Sequence, residues 1–312
     1  MSWKVLITDG MEKEGKAIIE SRGIAEDKKG VTAEELLDIV SEYDALVVRG
    51  RTKVTEAVME AGKNLKVVAR MGVGVDNIDL NAARTRGITV VNAPVSTTIA
   101  VAELTMALML SLARAVPKAD AGMKAEQWLK KELMGTELWR KTLGIIGYGH
   151  IGEEVSKRAQ AFDMKVLACD PIRSTEDIAA SGAEPVSLET LIEKSDIITL
   201  HIPLIPATKH VLNAETFAKM KDGVKIICAA RGGVIDDTAL LHALETGKVS
   251  GAALDVFETE PPVDYALAKH PNVICTPHIG AQTNEAQLRA ATDIATEVMN
   301  ILEGQAARWK CA

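Results

Sequence analysis

Ten residues, Leu143-Gly144-Ile145-Ile146-Gly147-Tyr148-Gly149-His150-Ile151-Gly152, run from an aliphatic stretch through three spaced glycines into a helical pattern. Such a segment can fold as a strand, a tight turn and a helix. The spacing is G-x-G-x-x-G: Gly147 allows the turn, Gly149 lets the backbone approach a pyrophosphate, and Gly152 lets helix and strand pack closely. Free N–H groups at the start of the helix then face the anion. A second aliphatic run, Lys165 to Ala168, leads to Asp170, where a carboxylate accepts hydrogen bonds from ribose hydroxyls and repels a 2′-phosphate. Strand, glycines, helix, strand and acid occur in order, so the segment is predicted to bind a dinucleotide, NAD in preference to NADP.

The rest of the chain has the same texture. Short aliphatic runs at Lys4 to Thr8, Ala45 to Val48, Lys66 to Ala69, Thr89 to Val91, Ile197 to Leu200, Lys225 to Ala229, Gly251 to Val256 and Val273 to Thr276 read as strands. Between them, stretches such as Ala33 to Ser41, Glu153 to Phe162 and Thr238 to Thr246 place apolar residues three and four apart, as one face of a helix requires. This alternation predicts parallel sheets with helical crossovers. A chain of 312 residues is long enough for two cores. The Pro- and hydroxyl-rich stretch Asn92 to Thr98 precedes a long helix, Ile99 to Arg114, and marks a boundary. Two α/β lobes with a crevice between them are expected.

Composition excludes several functions. With 3% aromatic residues and a formal net charge of −7, the chain is a poor candidate for nucleic-acid binding. The Ile99 to Ala113 stretch contains Glu103 and is too short for a membrane span, and the start has too short an apolar run for a secretory leader. Cys169, Cys228, Cys275 and Cys311 lack metal-ligand spacing, so no metal site is expected; reduced structural thiols and a cytoplasmic location are.

Three charged residues each follow a candidate strand, at the end of a parallel sheet where ligands bind. Arg231 follows Lys225 to Ala230 and precedes Gly232-Gly233; its guanidinium can clamp a carboxylate with two parallel hydrogen bonds. His278 follows Val273 to Pro277, and Glu260 lies in Asp255-Val256-Phe257-Glu258-Thr259-Glu260-Pro261-Pro262. Reducing a ketone by hydride transfer needs a proton donor poised near neutral pH, which histidine supplies, and a carboxylate partner fixes its ring.

Together with Ala102-Glu103-Leu104-Thr105 and Thr276-Pro277-His278-Ile279-Gly280-Ala281, these motifs resemble the D-isomer-specific 2-hydroxyacid dehydrogenases over nearly the whole chain, most of all their phosphoglycerate dehydrogenase branch. The resemblance implies an α/β fold of two Rossmann-like lobes, with a doubly wound parallel nucleotide-binding sheet (99–282) inserted into a smaller flavodoxin-like substrate-binding lobe (1–98 and 283–312). It implies that Arg231 binds the substrate carboxylate and carbonyl, that His278 is the acid/base and that Glu260 is its partner. It assigns NAD to Gly147, Gly149, His150, Ile151, Gly152 and Asp170, to His201-Ile202-Pro203, Ala229-Ala230 and Gly280, and the nicotinamide amide to Asp255. Formate dehydrogenases, similar in fold, carry Gln where Glu260 stands.

The substrate implied is a small anionic 2-hydroxy or 2-keto acid, with 3-phosphoglycerate, at the entry to serine biosynthesis, first. A glyoxylate or hydroxypyruvate reductase is the alternative, and an NADH-sensing corepressor-like binding protein a remote one. Val73 and Gly74 would offer amides to the carboxylate, Arg49 and Arg70 would bind a distant phosphate, and Lys130 would reach a neighbouring subunit's site. The chain departs from the phosphoglycerate branch at Val73, Val95-Ser96-Thr97 and Cys228, positions that bear on substrate choice more than on the chemistry. A homodimer or higher homo-oligomer is implied through Ile99 to Arg114 and Trp128 to Trp139. Ending at Ala312, the chain is expected to lack the C-terminal regulatory domain of longer members.

Overall fold

The computed structural model describes residues 2–312. They divide into two compact units, one made of the residues through Thr97 with Ala281–Ala312, the other of Thr98–Gly280. In the first, β1 (Trp3–Ile7), β2 (Gly23–Asp27), β3 (Ala45–Val48), β4 (Val67–Arg70) and β5 (Thr89–Asn92) form a parallel sheet in the order β2-β1-β3-β4-β5. That order is the flavodoxin-like winding. Val47, Val67 and Ala69 pack on Ile19 of helix Lys13–Glu20 and on the apolar stripe of Asn284–Leu302, Ala291 to Leu302. Leu46, Val48 and Val68 pack on the opposite helices through Leu36, Val58 and Ala83. With both faces covered, a strand must be apolar throughout, and all four residues of β3 are buried.

In the second unit, β6 (Thr142–Ile146), β7 (Lys165–Cys169), β8 (Glu184–Pro185), β9 (Ile197–Leu200), β10 (Val224–Cys228), β11 (Val249–Leu254) and β12 (Val273–Cys275) form a parallel sheet in the order β12-β11-β10-β9-β6-β7-β8. From β6 the chain winds outward through β7 and β8, then returns beside β6 with β9 and winds the other way. This reversal opens a crevice at the carboxyl ends of β6 and β9, where doubly wound sheets bind ligands.

Two strands lie outside the sequence expectation. Both β2, Gly-Ile-Ala-Glu-Asp, and the two-residue β8 are sheet edges. Edge strands tolerate charge and proline, so neither shows as an aliphatic run. The segment Trp128 to Trp139 contains turns and no helix, while Val116–Lys124 forms a short helix after Thr98–Arg114. No single helix among the described residues is long and apolar enough to cross a membrane. The four cysteines are free thiols.

Candidate active site

The glycine loop lies at the reversal. Gly147 has φ +92°, and a Cβ built there would lie 2.5 Å from the His201 carbonyl oxygen and 2.6 Å from Ile202 Cγ2. At Gly152 a Cβ would stand 2.3 Å from the Gly147 carbonyl, so helix His150–Ala161 can lie on its strand only without a side chain there. Gly149 differs: its Cβ direction is open space. It is the N-cap of the helix, with no side chain capping the first N–H groups. An open approach to uncapped helical amides is what a pyrophosphate needs.

His201 adds a second fitting feature. Its Nε2 lies 3.1 Å from Thr199 Oγ1, while Nδ1 is buried with no hydrogen-bond partner. Burial pushes its imidazole down to about 3, so the ring is neutral. The glycine cradle and this ring nitrogen fit a dinucleotide at the ends of β6 and β9. His150 is exposed, Ile151 half-buried, Pro203 exposed, and Ala229 and Ala230 close the end of β10.

Asp170 ties the loop after β7 to the glycine loop. Its carboxylate accepts hydrogen bonds from the amides of Tyr148 (2.6 Å), Ile172 (2.8 Å) and Arg173 (2.9 Å). Burial works to raise its pKa, but the three amides and the Arg173 charge hold it below the usual carboxylate range. A carboxylate offers roughly four acceptor directions, so one remains for a ribose hydroxyl. Arg173 itself bonds Glu153 in the first turn of the helix, at 2.8 Å.

The charged triad of the sequence analysis gathers at the ends of β10, β11 and β12. His278 Nδ1 lies 2.7 Å from Glu260 Oε2, and Glu260 Oε1 accepts the Phe257 amide at 3.2 Å. Burial opposes the charge of Glu260, yet the His278 hydrogen bond and charge, the Phe257 amide and the Arg231 charge together lower its pKa. Arg231 donates Nη1 to its neighbour Ala230 at 2.6 Å. His278 adopts φ +52°, an uncommon conformation for a residue with a side chain, and its N–H is fixed by the Asp255 and Thr276 carbonyls. The side chains of His278 and Glu260 remain 48% and 37% exposed, so a small molecule can reach the pair.

Asp255, expected to contact the nicotinamide amide, is held by donors of its own chain. Its side chain is fully buried and accepts hydrogen bonds from Thr276 Oγ1 (2.6 Å) and the amides of Ile279 and Gly280 (2.8 Å each). It therefore clasps the loop that carries His278, and Gly280 is part of that clasp. The motif spacing conceals this role because the donors lie more than twenty residues away in sequence.

The first-lobe arginines named in the sequence have partners of their own. Arg49 Nη2 bonds both carboxylate oxygens of Glu12, at 2.7 and 2.9 Å, and Nε donates to the Gly10 carbonyl. It is thus an ion-paired side chain. Arg70 lies over Gly72 and donates to the Met71 carbonyl at 3.5 Å. Val73 and Gly74 stand half-buried in the loop after β4, and Lys130 is exposed in a turn.

Residues 106–280 match the D-isomer specific 2-hydroxyacid dehydrogenase, NAD binding domain. The chain belongs to the D-isomer-specific 2-hydroxyacid dehydrogenase family. Its second lobe is the NAD-binding domain of that family. A D-3-phosphoglycerate dehydrogenase of Synechocystis is 47% identical over 305 residues, 98% of this chain and 55% of that protein. The chain spans little more than half the length of such relatives. A hydroxypyruvate reductase of Thermotoga maritima is 46% identical over 304 residues, 96% of this chain and 98% of that protein. The D-lactate dehydrogenase of Aquifex aeolicus, solved with NAD and lactic acid, superposes with a TM-score of 0.85 at 31% identity, covering 96% of each chain.

Proposed function

We propose that the chain is an NAD-dependent 2-hydroxyacid dehydrogenase in which His278 exchanges the hydroxyl proton, Glu260 orients it and Arg231 holds the substrate carboxylate. The 2.7 Å contact between His278 Nδ1 and Glu260 carries this reading. A proton on Nδ1, shared with the carboxylate, leaves Nε2 as the base that takes the substrate hydroxyl proton. As positive charge develops on the ring, the adjacent carboxylate stabilises it. NAD, when bound, supplies the hydride acceptor. The Arg231 guanidinium pairs with the carboxylate and polarises the neighbouring carbonyl oxygen in the reverse direction. Gly147, Gly149, His150, Ile151 and Gly152 would receive the pyrophosphate, and Asp170 the adenosine ribose. The Arg173–Glu153 pair supports NAD over NADP, because it occupies the guanidinium that a 2′-phosphate would need.

The substrate we favour is 3-phosphoglycerate, oxidised to 3-phosphohydroxypyruvate for serine biosynthesis. The similarity to several D-3-phosphoglycerate dehydrogenases at 47–48% identity supports it. One observation favours hydroxypyruvate or glyoxylate instead: Arg49 already pairs with Glu12, which weakens its pull on a phosphate. Exposed Val116, Met123, Trp128, Met134 and Trp139 support pairing with a second copy, and a cytoplasmic location is part of the same reading. Oxidation of NADH should be followed with phosphohydroxypyruvate, hydroxypyruvate and glyoxylate. A kcat/KM at least about tenfold higher for the phosphorylated acid supports the first substrate, and the opposite order supports the second. Turnover with none of them overturns both.

A further inference from the structure

A second histidine-carboxylate pair stands outside the triad, its carboxylate on the loop that carries Glu260. His210 Nε2 lies 2.7 Å from Glu258 Oε1, and its Nδ1 lies 4.0 Å from Asp236 Oδ2. His210 adopts φ +52°, like His278. That conformation is pinned on both sides: its N–H donates to the Gly233 carbonyl (2.9 Å), and its carbonyl accepts Asn213 Nδ2 (3.0 Å). A strained residue held this firmly presents its ring in one direction.

The direction matters because Glu258 is two residues from Glu260. Their loop is also gripped from the Arg231-Gly232-Gly233 turn, where a Cβ on Gly232 would lie 1.7 Å from the Phe257 carbonyl oxygen. The Phe257 amide in turn fixes Glu260 Oε1. Asp237, in the first turn of helix Asp237–Glu245, faces the same place. Burial pushes its carboxyl up to about 6; the Glu258 amide draws it back, the Glu258 and Asp236 charges add to the rise and His210 opposes it. Around Glu258 the structure therefore sets one imidazole and two carboxylates, with His210 the attractive partner.

We propose that His210 is a positioning residue for the reaction: by holding Glu258 it fixes the Phe257–Glu260 loop and thereby the Glu260–His278 pair. The proposal rests on the dehydrogenase reading above, although its structural half concerns the protein without cofactor. His210→Asn is the informative variant. Asparagine tolerates positive φ but is too short to reach Glu258, so backbone strain and the side-chain bond are separated. Expected are a fall in kcat of about fivefold, with KM for the keto acid and Kd for NADH within about twofold, and a similar fall in Glu258→Ala. Adding His210→Asn to Glu260→Gln should cost nothing further, since both act through one contact. In the NAD-free protein, ring ¹⁵N shifts of His278 should show its proton less localised on Nδ1 in both single variants. Unchanged His278 shifts in both variants, or losses that multiply with Glu260→Gln, would overturn the proposal. A wild-type protein inactive on every 2-keto acid would instead overturn the dehydrogenase reading, and the NAD-free spectra would still decide the positioning role.

Discussion

Removing the Asp255 carboxylate should loosen the catalytic loop before it affects anything else. The side chain has no exposed surface and serves three donors. Only the Gly280 amide lies in a buried residue; Thr276 is half-buried and Ile279 is 37% exposed, so their groups can find water. One buried donor left unpaired costs about 1–3 kcal/mol, and two partly exposed hydrogen bonds about 0.5–1.5 kcal/mol each. The sum is roughly 2–6 kcal/mol for Asp255→Ala. For a unit of this size that corresponds to a fall in Tm of roughly 4–24 °C. Melting followed by circular dichroism measures it, with NADH-dependent turnover measured in parallel. Turnover should drop by at least about tenfold even well below Tm, because His278 sits on the loop that is released. Asp255→Asn, which keeps one acceptor, should fall between wild type and alanine in both measurements. A melting curve unchanged within about 2 °C would refute the clasp.

Two further outcomes follow from the second lobe. Gly152→Ala would force its methyl to 2.3 Å from the Gly147 carbonyl; about 1–3 kcal/mol of stability should be lost, and NAD affinity measured by calorimetry should collapse because the helix N-terminus is displaced. Asp237 has a folded pKa raised from 3.8 to about 6, so its contribution to stability is fully present below pH 3.8 and is lost as pH rises through 6. Asp237→Asn should accordingly raise Tm relative to wild type at pH 8 and lose that advantage near pH 4; an advantage independent of pH would contradict the assigned cause.

What was legible in the sequence was whatever depends on near neighbours. Gly152 is required by a near neighbour, the Gly147 carbonyl five residues back, whereas the conflict at Gly147 is with His201 and Ile202 in the loop after the neighbouring strand β9. Buried strands such as Ala45–Val48 announce themselves because both faces are covered. The edge strand Gly23–Asp27 does not, since one of its sides meets no further strand. At the site, His278, Glu260 and Arg231 were readable as residues at strand ends, whereas their restraints were not. Glu12 meets Arg49 across 37 positions and His210 meets Glu258 across 48, and pairings at that separation exist only after the sheets form. The same distance explains why the partners of Arg49 and Asp255 do not show in the sequence.

If His278, oriented by Glu260, moves the substrate proton as proposed, the decisive comparison is wild type against His278→Ala for NADH oxidation on the three keto acids, alongside NADH affinity measured by fluorescence. Turnover on the preferred acid should fall by about a hundredfold or more while Kd for NADH stays within about threefold. Retention of most of the wild-type turnover in His278→Ala would contradict that role.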